Sequence, residues 1–245
     1  MWDDRAPSFR QVGDVAVGVA RSHCGVEVDD TTTVRWQELM AVLREFDTLC
    51  DDTAISRQQA LGELREFSKL AELYPSLAPN TLPAAAREQL LWRVEVILNL
   101  GQRGAEAAVV DEFIDCRKQE AEHTARLLDD AATPEVRQQS AYEERFAPTM
   151  RAMSIVACAL DSLTDARKDH ASGAMALAPS GDYYRACASL ALSEAKPAFA
   201  VLAHKDMLAQ FGVMSVNRLR NRIRRGVSDE SSLGVVRSFL PPAAR

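Results

Sequence analysis

Alternation of apolar and polar residues at period two is almost absent from this chain, and that argues against half-buried strands. Glycine and proline are scarce, at 11 and 10 of 245 residues, which excludes a collagen-like fibre or a low-complexity assembly. Aromatic residues make up only 6%. No excess of positive charge exists: 29 basic side chains face 35 acidic ones, a net charge of −6. A phosphate-backbone binder should be strongly basic, so no nucleic acid partner is expected. Long apolar runs are missing too. The most apolar stretch, Met150 to Leu163, carries Arg151 and Asp161 and falls short of the roughly 20 residues a bilayer requires, so no transmembrane segment is expected. The amino terminus, Met1-Trp2-Asp3-Asp4-Arg5, lacks the apolar core of a signal peptide. The five cysteines are odd in number, widely spaced and without a C-x-x-C pair, which fits a reduced, cytoplasmic compartment.

What is present is the composition of a globular protein, 47% apolar and 26% charged. A chain of this length buries roughly 70% of its unfolded surface and needs no disulfide or metal staple. Most windows repeat apolar residues at three and four, the helical period. Asp29 to Thr33 offers N-cap oxygens ahead of a helix whose inner face reads Trp36, Leu39, Met40, Leu43, Phe46, Asp47 and Cys50. Further helices are predicted at 57–74, 84–101, 104–130, 134–147, 148–172, 181–194, 197–210 and 213–226, separated by proline and glycine breaks. The expectation is one all-α domain over 1–245, a helical bundle, with 229–245 as a loosely held, flexible tail.

Two acidic motifs stand out against apolar faces. In Phe46-Asp47-Thr48-Leu49-Cys50-Asp51-Asp52, Asp47 and Asp51 lie one turn apart and continue the Trp36/Met40/Leu43 stripe. In Leu160 to Asp169, Asp161, Asp165 and Asp169 form an i, i+4, i+8 ladder in line with Met153 and Ala157. Met153 to Leu160 is apolar or small throughout, so the ladder is expected to emerge from a buried helix towards a cavity. On an exposed helix, like charges at i, i+4 cost only about 0.2–0.5 kcal/mol. Near a buried face, carboxylates about 6 Å apart repel by roughly 3 kcal/mol per pair at an effective dielectric of 20. Raised pKa values, basic partners or divalent cations must offset that. Two such ladders facing each other form an all-oxygen cluster suited to Mg²⁺, which shares its ligation with a phosphorylated substrate.

Other chemistries find less support. A di-iron site needs a second Glu-x-x-His besides Glu120-Ala121-Glu122-His123, and the remaining histidines, His23, His170 and His204, follow Ala20, Arg167 and Val201 at that spacing. Cys50 and Cys158 lie on apolar faces and read as core residues rather than nucleophiles.

At the two acidic motifs the sequence resembles class I terpene synthases, and most closely the tetraprenyl-β-curcumene synthase-like family. The first family motif, Asp-x-Leu-Cys-Asp, is matched by Asp47-Thr48-Leu49-Cys50-Asp51. The second is matched by Leu160-Asp161, Asp165, Asp169 and Gly173, followed by Tyr183-Tyr184. Arg44 stands where the family's first motif often begins with an aspartate, and the chain is shorter than typical members. The resemblance implies an all-α bundle of the class I terpenoid synthase type. It implies that Asp47, Asp51, Asp52, Asp161, Asp165 and Asp169 hold Mg²⁺, three ions per site, against a linear prenyl diphosphate. Of these, Asp47, Asp51, Asp161 and Asp165 are the expected catalytic set. The allylic cation left by ionisation then cyclises in an apolar pocket. Lys168, Arg117, Lys118, Arg185 and Tyr184 are the candidates for holding the diphosphate, although Arg117 and Lys118 also suit surface ion pairing. Arg218, Arg220, Arg222, Arg224 and Arg225 form a basic helix that either closes over the diphosphate or is a solvated face. Trp36, Phe46, Phe67, Trp92, Phe113 and Phe146 could line the pocket or simply fill the core. A prenyl transferase and a non-catalytic helical interaction protein remain alternatives, and a homodimer is left open.

Overall fold

The structure is a computed structural model, and it describes residues 9–51, 107–172, 175, 177–201, 216, 217, 219–226, 228 and 230–239. Among these residues every regular element is helical, as the periodicity predicts. The elements are α1 (Phe9–Val19), α2 (Asp30–Asp51), α3 (Ala107–Ala131), α4 (Pro134–Arg137), α5 (Ala147–Ser172), α6 (Gly181–Val201) and α7 (Glu230–Phe239). Wider π turns at Ala20–Cys24 and Tyr142–Phe146 precede the loop to α2 and the start of α5. The described residues fall into two compact units, 9–51 with 123–151, and 107–122 with those from 152 onward.

In the first unit α1 packs on α2. The approach is close because Gly13 has no side chain: a Cβ there would sit 2.7 Å from Cα of Gln37 and 2.8 Å from its nitrogen. The π turn after α1 ends at Gly25, whose φ of +72° is one a side chain would disfavour. Asp29 caps α2 as expected, its carboxylate accepting the N–H of Thr32 at 2.6 Å. It also accepts the hydroxyl of Thr133 at 2.6 Å, and the Thr133 N–H donates to Thr32 Oγ1 at 3.0 Å. Thr133 is itself the N-cap position of α4, ahead of Pro134, so one polar cluster ties two helix starts together. Below it the core holds Trp36, stacked on Phe146 with ring centroids 5.0 Å apart. The indole N–H of Trp36 donates to the Leu128 carbonyl at 2.8 Å, which satisfies this buried donor.

The second unit is built around Val110, Phe113 and Cys116 of α3, Leu163 and Ala166 of α5, and Tyr183, Tyr184, Cys187 and Ala188 of α6. Met175, Leu177, Val216 and Leu219 complete this core. Tyr183 fixes α6 against α5, its hydroxyl donating to the Ser162 carbonyl at 3.0 Å while its ring lies 5.9 Å from that of Phe113.

Four expectations are corrected. An amino-terminal helix, α1, lies where no element was predicted. The break predicted between 147 and 148 lies earlier, in the segment between Arg137 and Tyr142, and the π turn then runs straight into α5. Pro148 lies just after this π turn, inside a continuous helical run. The break predicted between 194 and 197 does not occur: α6 runs through Pro197 to Val201. The expected loose tail is helical over Glu230–Phe239, and α7 packs on α6 with Leu233 and Val235 against the core. The helices predicted at 57–74 and 84–101 lie outside the described residues, as do Phe67, Trp92 and Arg218.

Candidate functional site

Helical geometry puts Asp161, Asp165 and Asp169 on one line along α5, as the spacing requires. Their burial is not what the apolar run before them suggests. Ala157 is exposed and Met153 half-buried, while Ile155, Val156 and Ala159 are buried. The line therefore follows an outer edge of the helix, which the small side chain of Ala157 tolerates. Asp161 has a side chain 55% exposed, and the ladder becomes more enclosed at Asp165, 15% exposed.

Each carboxylate has a cation near it. Arg117 of α3 reaches Asp161 at 3.9 Å, Arg222 pairs with Asp165, and Lys168 lies 3.8 Å from Asp169. Basic partners are one way to offset the repulsion within the ladder. Thr164 adds a neutral donor, its hydroxyl 3.0 Å from Asp165 Oδ1.

Arg117 departs from the surface role that its acidic neighbourhood suggested. Its side chain is only 19% exposed and lies between α3 and α5. The guanidinium donates to Ser162 Oγ at 3.0 Å and to Glu120 at 2.7 Å, and the Arg117 carbonyl accepts the Cys158 thiol at 3.5 Å. Burial opposes its charge, but the negative groups around it, Cys158 when ionised, Glu120 and Asp161, hold its pKa well above the ordinary value. Burial also pushes the Cys158 thiol up to about 12, so the group beside Arg117 is a neutral thiol at physiological pH. The carboxylates are then what secures the guanidinium.

The other basic candidates are dispersed. Lys118 pairs with Glu194 of α6 at 2.9 Å. Arg185 is well exposed and pairs with Asp182 one turn earlier. Tyr184 is buried in the core, with its ring 5.9 Å from that of Tyr183. Trp36 and Phe146 fill the core of the first unit, and Phe113 that of the second. Asp47 and Asp51 belong to the last turns of α2, but their side chains, like those of Phe46 and Cys50 and all of Asp52, lie outside the described residues.

Sequence reasoning missed Ser162, Thr164 and Ser228. Ser162 holds Arg117 and Tyr183, while Ser228 donates to the Thr164 carbonyl. The polar spacing Asp161-Ser162-x-Thr164-Asp165 was the only local signal. Among the described residues no three His, Cys, Asp or Glu side chains converge as a ready-made metal group. No described helix is long and apolar enough to cross a membrane. In comparisons with protein-family models, with curated proteins and with solved structures, nothing matches this chain.

Proposed function

We propose that this protein is a Mg²⁺-dependent class I terpene synthase that ionises a linear prenyl diphosphate and cyclises the resulting cation. The observation that supports this reading is the ladder Asp161, Asp165 and Asp169, three carboxylates on one helix line that each attract a positive charge. The donors suit a hard divalent cation, because all are carboxylate oxygens. With Asp47, Asp51 and Asp52 of the first motif they would hold Mg²⁺, which when bound stabilises the charge that develops on a departing diphosphate. The chain's own part begins with Arg117. Held by Ser162 and Glu120, it keeps a permanent positive charge beside Asp161. Lys168 stands on the same helix, more than half exposed, as a second donor for an anion. The proposed reaction requires an apolar pocket that excludes water from the carbocation.

The test is incubation with a panel of prenyl diphosphates and Mg²⁺, followed by analysis of the hydrocarbon extract. A cyclic product is expected, lost in Asp47→Asn and in Asp161→Asn with helicity unchanged. Full turnover in both variants defeats the proposal. Supplying one diphosphate or two, and weighing the product, separates a cyclase from a prenyl transferase.

One observation favours a second reading, a non-catalytic helical protein: the ladder is neutralised from within the chain by Arg117, Arg222 and Lys168. Such a protein shows no thermal shift with Mg²⁺ and pyrophosphate, whereas a working site is stabilised by ligand linkage.

A further inference from the structure

We propose that Arg222 and Ser228 form a latch on the aspartate ladder, with Arg222 occupying the position on Asp165 that a metal cation would take. The inference rests on the ladder being a metal-holding group and concerns the regulation of that site. Asp165 is held by groups from two segments. The Arg222 guanidinium pairs with its Oδ1, and Arg222 Nε donates to the Thr164 carbonyl at 3.4 Å. Ser228 donates to that same carbonyl, while the Thr164 hydroxyl donates to Asp165 Oδ1. Two points of one segment, Arg222 and Ser228, are thus fastened to one turn of α5.

The side chains of Asp161 and Asp169 are 55% and 29% exposed. The Arg222–Asp165 pair is more enclosed, with side chains 23% and 15% exposed. A divalent cation brought to Asp165 meets the guanidinium in the same place, and two positive charges at that separation repel. Metal entry and seating of the segment are therefore competitive. The segment also has a pivot: Gly226, at φ +72°, ends the helical stretch 219–224 between the two fastening residues.

A latch closed about nine-tenths of the time reduces the apparent metal affinity about tenfold. The experiment measures Mn²⁺ binding to the full chain by electron paramagnetic resonance, in wild type, Arg222→Gln and Arg222→Lys, with helicity checked by circular dichroism. Arg222→Gln is expected to bind Mn²⁺ about tenfold more tightly, and Arg222→Lys to stay near wild type. In the wild type, Mn²⁺ with pyrophosphate should also speed tryptic cleavage after Arg224. Equal Mn²⁺ affinity in wild type and a folded Arg222→Gln overturns the latch and leaves the metal site standing. Absence of Mn²⁺ binding in all three overturns both. Should Arg222→Gln not fold, Ser228→Ala releases the segment without touching the ion pair. It must then tighten Mn²⁺ binding, and an unchanged affinity overturns the latch.

Discussion

Replacing Gly13 by alanine sets two effects of known sign against each other. In a helix interior, alanine is favoured over glycine by about 1 kcal/mol, because glycine loses more backbone freedom on folding. At Gly13 the added Cβ would stand 2.7 Å from Gln37 Cα, 2.8 Å from Gln37 N and 3.0 Å from the Trp36 carbonyl carbon. All three are backbone atoms of α2, so no flexible side-chain end can move aside. Overpacking of this kind typically costs about 1–3 kcal/mol. Gly18 lies on the same helix with nothing within 4 Å of its Cβ position, so it carries the propensity gain alone. The stability difference between Gly13→Ala and Gly18→Ala therefore isolates the α1–α2 approach at about 1–3 kcal/mol. Melting curves should show Gly18→Ala at or above wild type by about 2–4 °C per kcal/mol gained. Gly13→Ala should lie clearly below Gly18→Ala. Equal melting temperatures for the two variants refute the close packing of these helices.

Two further outcomes follow from ionisable groups. Partial burial works to raise the pKa of Asp29, but hydrogen bonds from Thr133 and Thr32 and the charge of Arg35 outweigh it and hold the carboxyl below its ordinary value of 3.8. A depressed carboxylate stabilises the fold above the unfolded pKa and loses that contribution as pH falls through the folded value. Urea unfolding should find Asp29→Asn less stable than wild type at pH 6, with the gap closing below pH 3.8; a gap independent of pH defeats this account. The Cys158 and Cys187 thiols, both pushed up to about 12 by burial, should resist iodoacetamide at pH 8 in the native protein and react once it is denatured. Mass spectrometry reads this, and native alkylation at the rate of a free thiol contradicts the burial.

Much of the helical architecture was legible because its causes are local. Apolar spacing at three and four needs only neighbouring residues, so α2, α3 and α6 begin within a few residues of where the pattern puts them. The cap at Asp29 is equally local: its carboxylate bonds an N–H three residues ahead. Boundaries failed at Pro197, a local breaker that α6 runs through, and at the amino terminus, where α1 lies in a stretch read without an element. For the candidate site, the alignment of Asp161, Asp165 and Asp169 was readable, since a helix places every fourth residue on one side. Which side, and how deep, was not.

The amino-acid order by itself determined an all-helical chain, a polar cap before α2 and a row of three aspartates along α5. Tertiary structure alone decided that this row runs along a half-exposed edge, that Arg117 comes from α3 to meet it, and that Arg222 closes on Asp165. It also decided that Thr133 completes the cap on Asp29, across 104 residues of sequence. The reason is one of range: helical periodicity repeats every few residues, whereas the partner of a charge is chosen by how distant helices pack.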